Sequence, residues 1–153
     1  MKFIADNMLG SLARWLRILG YDVTYPRQAD DNELVRLARA EGRILLTRDV
    51  ALARRRGLRA FLIESKGLEE QIRQVVRHWG PPPEGPFSRC PVCNTPLHKV
   101  DKEEVKSRVP PYVFRTQENF HLCPGCGRVY WPGTHWNEMR RKIAALQEGR
   151  AKE

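Results

Sequence analysis

Short apolar runs alternate along this chain with stretches in which apolar residues recur every three or four positions. Lys2–Ala5 reads as a strand; Leu9, Leu12, Ala13, Leu16 and Leu19 then share one side of a helix that stops at Gly20. Asp22–Tyr25 predicts a second strand, and a helix beginning at Asp31 turns Leu34, Leu37 and Ala38 inward before Gly42. Ile44–Thr47 is a buried strand, Ala51–Arg56 a short helix, Ala60–Ile63 a fourth strand, and Ile72, Val75, Val76 and Trp79 mark another helix. Alternation at this spacing predicts a three-layer α/β domain over residues 1–80, with a mostly parallel sheet.

The pattern then breaks. Residues 81–87 open on three prolines and include Gly85 and Pro86, which suit neither a helix nor a central strand, so they read as a stiff linker. Residues 88–133 carry all four cysteines, and residues 134–148 predict a last helix. Thr134 would cap that helix, and Trp136, Met139, Ile143 and Leu146 would pack its apolar face back on the core. The tail Glu148–Glu153 is expected to be disordered.

The cysteines form two matched pairs, Cys90-Pro-Val-Cys93 and Cys123-Pro-Gly-Cys126. Each Cys-x-x-Cys turn aims two thiolates at one point, and two such turns make a closed tetrahedral zinc site, a zinc ribbon. Gly127 after the last cysteine suits a tight turn. Two disulfides are the competing reading, disfavoured in a reducing compartment. A full set of four protein ligands leaves no open coordination position, so this zinc is structural and the chemistry must lie elsewhere.

Composition adds a partner and a location. The net charge is +9, which favours a polyanion such as RNA. The first residues lack the apolar run of a signal peptide, and no stretch nears the roughly 20 apolar residues of a membrane span, so a cytoplasmic protein is expected.

Acids stand where such a sheet binds ligands, at the carboxyl ends of its strands. Asp6 ends the first strand, Asp49 follows the third, and Asp31, with Asp30 beside it, opens the second helix. Three carboxylates sharing a crevice call for a hard cation, Mg2+ or Mn2+, able to orient a water toward a phosphodiester. Asp30, Asp31 and Asp49 are each equally readable as helix caps. Asp6 is less easily explained that way, since an acid closing a buried strand must be solvated, paired or metal-bound. Asp22 reads as an ordinary turn residue. Arg48, directly before Asp49, is the candidate phosphate clamp; Arg14 and Arg17, off the leucine stripe of the first helix, and His135 are candidate RNA contacts. Tyr130 and Trp131 are readable as base-stacking or as packing residues.

Three segments carry a resemblance: residues 6–17, Asp31-Asn32-Glu33-Leu34, and Gly42-Arg43-Ile44-Leu45-Leu46-Thr47-Arg48-Asp49. With residues 130–136 closing the ribbon, they resemble the Mut-seven C-terminal RNase family across nearly all of residues 1–140. The resemblance implies a PIN-like nuclease fold with a zinc ribbon, and a metal-dependent ribonuclease. It implies that Asp6, Asp31 and Asp49 hold the metal. Typical PIN nucleases carry a further Glu between the first two acids, whereas residues 7–29 contain no Glu. One metal instead of two, or a contribution from Asp30, would follow. The sequence therefore points to a metal-dependent ribonuclease; the rivals are a non-catalytic RNA-binding protein with a degenerate metal site, and an adaptor that binds protein through the ribbon.

Overall fold

The structure is a computed structural model that describes residues 1–133, 136–138, 140–142 and 144. Thr134, His135, Met139, Ile143, Leu146 and the tail Glu148–Glu153 lie outside the described residues, and with them the expectations placed on them. Four parallel strands, β1 (Lys2–Ala5), β2 (Asp22–Thr24), β3 (Ile44–Thr47) and β4 (Ala60–Leu62), form a sheet in the order β2-β1-β3-β4. Phe3 registers with both Val23 and Ile44, and Leu45 with Ala60.

Side-chain alternation explains why β1 and β3 read as unbroken apolar runs: each is covered on both faces. Phe3, Ala5, Ile44 and Leu46 face α1 (Gly10–Leu19) and α4 (Leu68–Trp79), in a core that includes Leu12, Leu16, Ile72 and Val75. Ile4 and Leu45 face the other way, toward Leu34, Val35 and Ala38 of α2 (Asp31–Glu41) and Leu52 of α3 (Val50–Ala53). The three-layer arrangement is the one expected. β2 stops at Thr24, one residue early, and the phenol of Tyr25 instead donates to Asn7 O at 2.6 Å.

The linker is strapped across the end of α1. Gly20 adopts φ 111°, and a Cβ there would lie 2.3 Å from Gly85 O, so only glycine lets the strap pass. Phe87 N donates to Ile18 O at 2.9 Å, and its residue takes φ 62°. That left-handed value costs a bulky residue about 1–3 kcal/mol, offset here by the bond and by its ring packing edge-on to Trp136.

The ribbon is a second, antiparallel sheet, β5 (His98–Val100), β6 (Phe120–Leu122) and β7 (Val129–Tyr130), in that order. Between β5 and β6 lie a 3-10 run over Lys102–Arg108 and the helix α5 (Pro111–Thr116), where Pro111 supplies a ready-made first helical residue. Its core is small: Val105, Val109 and Phe120. Beyond the ribbon, helical residues 136–138, 140–142 and 144 return to the α/β domain. Buried Trp136 there lies nearly parallel to Trp15, and Lys142 Nζ meets Glu69 at 2.8 Å.

Candidate active site and cysteine centre

β1 and β3 are neighbours, but the chain leaves β1 toward β2 and leaves β3 toward β4, on opposite faces of the sheet. In open α/β sheets such a reversal is a switch point, outside which ligands bind. Asp6 stands at it, 5% exposed, its N–H donating to Leu46 O at 3.0 Å. One carboxylate oxygen accepts from Asn7 N at 2.7 Å, and the other from the Thr47 hydroxyl at 2.7 Å. Thr47 Oγ1 in turn accepts from Asp49 N at 3.0 Å. Asp6, Thr47 and Asp49 thus form one hydrogen-bonded chain across the ends of β1 and β3, which satisfies a carboxylate in a buried place.

Asp49 also caps α3, accepting from Leu52 N at 3.1 Å. Asp30, not Asp31, is the side-chain cap of α2, accepting from Glu33 N at 2.8 Å. Asp31 is the exposed first residue of that helix, whose start is tied to the switch point by Asn7 Nδ2 donating to Ala29 O at 2.8 Å. Asp6, Asp31 and Asp49 do not form a set of three with an oxygen of each within 4.8 Å of the other two; among the described residues only the four cysteines converge in that way.

The arginines divide. Arg48 is half-buried; its Nη2 reaches Glu64 O at 3.5 Å and its Nε is buried without a hydrogen bond. Arg14 is exposed. Arg17 corrects an expectation: it does not face outward to RNA but is 7% exposed, donating to Val23 O at 2.7 Å, Pro91 O at 3.0 Å and Val92 O at 3.1 Å. Its planar fork spans β2 and the first cysteine turn at once. His135 lies outside the described residues.

Asp22 is likewise more than a turn residue. It accepts from Arg43 at 2.8 Å and from Asn94 Nδ2 at 2.7 Å, with Arg89 at 3.7 Å. Asn94 Oδ1 receives Val23 N at 3.1 Å. Burial alone would raise the Asp22 pKa, but the hydrogen bonds from Arg43 and Asn94 and the nearby positive charges outweigh it and hold the group below its ordinary value. Asp22 and Arg17 together dock the ribbon on the α/β domain.

In the cysteine centre the two turns are built alike. Asn94 N donates to Cys90 O and Gly127 N to Cys123 O, each at 2.8 Å, and Asn94 (φ 68°) and Gly127 (φ 77°) both take the left-handed form that closes the knuckle. Sulfur pairs Cys90–Cys126 and Cys93–Cys123 lie 3.7 and 3.4 Å apart. Four bonds of about 2.3 Å to a tetrahedral zinc would place sulfurs about 3.8 Å apart, so the cluster fits that ion. The Thr95 hydroxyl 3.1 Å from Cys93 Sγ pulls that thiol down to about 6, whereas burial pushes Cys123 up to about 12. The Tyr130 hydroxyl lies 3.0 Å from Cys90 Sγ, and burial raises its pKa, so it keeps its proton and can donate to sulfur.

Thr47, Asn7 and Asn94 were not assigned roles from sequence. Thr47 carried a signal, the one hydroxyl in an otherwise aliphatic strand, and Asn94 stands at the position that Gly127 fills in the second turn.

The geometry defines a class, a three-layer α/β protein with an acid–threonine–acid chain at its switch point and a four-cysteine ribbon docked beside it. The chain belongs to the Mut7-C RNAse domain family, whose model matches residues 1–143. Over 114 residues it is 32% identical to the exonuclease mut-7 homolog of Homo sapiens, an alignment that covers 69% of this chain and 13% of that protein. No solved structure matches the chain significantly. Family and relative support a nuclease-type function on nucleic acid. No helix among the described residues is long and apolar enough to cross a membrane.

Proposed function

We propose that the protein is a Mg2+- or Mn2+-dependent endoribonuclease whose chemistry occurs at Asp6, and that Cys90, Cys93, Cys123 and Cys126 hold a structural zinc. The observation that carries this reading is the Asp6–Thr47–Asp49 chain at the switch point. Asp6, Asp49 and Asp31 offer oxygen donors alone, the set a hard cation takes. Such an ion, when bound, supplies charge stabilisation at the phosphodiester and lowers the pKa of a water. The protein's own part is orientation. Thr47 fixes the Asp6 carboxylate by donating to one oxygen, Asn7 N holds the other, and Asn7 Nδ2 keeps the start of α2, with Asp31, tied to the switch point. The half-buried Arg48 guanidinium, directly before Asp49 in the chain, would bind the scissile phosphate. Paired free cysteines suit a reducing compartment, so a cytoplasmic location goes with this reading.

The test is cleavage of a single-stranded RNA with blocked ends, with Mn2+ or Mg2+ added. Cutting that EDTA abolishes and Asp6→Asn removes is expected; full activity in Asp6→Asn, or in EDTA, would overturn the mechanism. A second reading is favoured by two observations, the absence of any Glu in residues 7–29 and the failure of Asp6, Asp31 and Asp49 to converge as a ligand set: a non-catalytic RNA-binding protein with a degenerate metal site. Salt-sensitive RNA binding with no cleavage under any divalent metal would establish it.

A further inference from the structure

A cavity of about 340 Å3 separates the outer face of α1 from the ribbon. Its α1 wall is Arg14, Trp15 and Ile18, and Tyr130 and Trp131 at the end of β7 face it. Phe87 and Trp136 also line it, their rings perpendicular at 4.7 Å. Trp15 and Trp136 lie at 12° to each other with centroids 6.3 Å apart. The space opens to solvent as a cleft. Concave sites that are mostly apolar, with a few polar groups at the lip, are the usual form of a ligand pocket.

The lip carries charge of one sign. Among the described residues no carboxylate lines the cavity. Arg89 is already engaged, with Asn94 O at 3.0 Å and Asp22 at 3.7 Å. Arg14 is exposed and makes no hydrogen bond or ion pair among the described residues. It sits one turn into α1, about 6 Å along the axis from Gly10 at 1.5 Å per residue, and hence near the loop that follows Asp6. Flat aromatic faces beside an available guanidinium are the chemistry that receives a stacked base and its phosphate.

We propose that this groove holds one unpaired nucleobase of the RNA, with Arg14 on the adjoining phosphate, and so makes the protein select single-stranded over paired RNA. The inference rests on the ribonuclease reading for its choice of RNA, but nucleotide binding tests it separately. Adenosine monophosphate and a single-stranded RNA hexamer are titrated against the tryptophan fluorescence of Asp6→Asn, which removes turnover. Arg14→Glu reverses the lip charge and Ile18→Phe fills the cavity; circular dichroism checks each fold. Saturable quenching is expected, with affinity about tenfold weaker in Arg14→Glu and Ile18→Phe. The same hexamer in duplex form should not compete. Unchanged affinity in both variants, or no quenching by either ligand, would overturn the proposal. Cleavage with KM unchanged in both variants would remove the groove and leave the ribonuclease standing. Binding lost in both variants of a chain that never cleaves would support the groove and remove the enzyme.

Discussion

The α/β domain and the ribbon solve the same problem, holding polar groups in place, by different physics. In the domain, two apolar layers clamp the sheet, and Asp6 is positioned by that clamp. Among the described residues the ribbon's apolar cluster fully buries Val105, Val109 and Phe120, with Val100, Val113, Phe114, Val129 and Trp131 partly buried around them, a small core for its loops. Its order must come from the cysteine cluster and from docking through Arg17 and Asp22. On the proposed function, catalysis would fall on the part whose order comes from apolar layers, and the ribbon would serve as one wall of the proposed groove.

Metal removal should break the comparison most sharply. Zinc in small cysteine sites contributes on the order of 10–16 kcal/mol, so Cys123→Ser or exhaustive chelation should abolish amide protection at Asn94 and Gly127 while β1 and β3 stay protected. Hydrogen exchange reads this directly, and loss of protection in both regions together would show that they are one cooperative unit. Asp6→Asn should have the opposite signature: cleavage falls by about 100-fold or more, since several kcal/mol of charge stabilisation go with the ion, and ribbon protection is unaltered.

Arg17→Ala should cost about 2–3 kcal/mol in urea unfolding, because it strips a charged donor from the buried Val23 carbonyl and from the part-buried bonds to Pro91 and Val92. Arg17→Lys should restore only part of this, as one ammonium cannot span Val23 and the Pro91–Val92 turn. Thr47→Val should cost about 1–2 kcal/mol, leaving an Asp6 oxygen and the Asp49 N–H without their partner. Its activity loss, about tenfold, would mark Thr47 as a positioning residue if Thr47→Ser recovers the rate. The smallest effect concerns acid. Asp22 has its pKa held below the ordinary 3.8, so its contribution is complete above that value and is lost as pH falls through the lower, folded one. The stability gap between the protein and Asp22→Asn should be constant above pH 4 and narrow below it; a gap that widens on acidification would reverse the assignment.

Legibility in the sequence followed the range of the forces involved. The stripe Leu12–Leu16 and the run Ile44–Thr47 announced helix and strand because burial on a periodic element leaves a periodic trace. The two Cys-x-x-Cys turns were equally plain, since a knuckle is a local structure. Arg17 and Asp22 misled for one reason: each looked like a surface charge among its own neighbours, and its partners, Pro91, Val92 and Asn94, lie some seventy residues away.

What the sequence alone determined is thus the alternating fold, the cysteine cluster and the candidate acids at strand ends, all set by local pattern and chain order. Tertiary structure decided the rest: that Thr47 joins Asp6 to Asp49, that Arg17 serves the interface, and that Trp15, Trp131 and Trp136 enclose a groove. Hydrogen bonds and ring contacts depend on distances between segments, and those exist only once the sheet has set its strand order and the ribbon has docked.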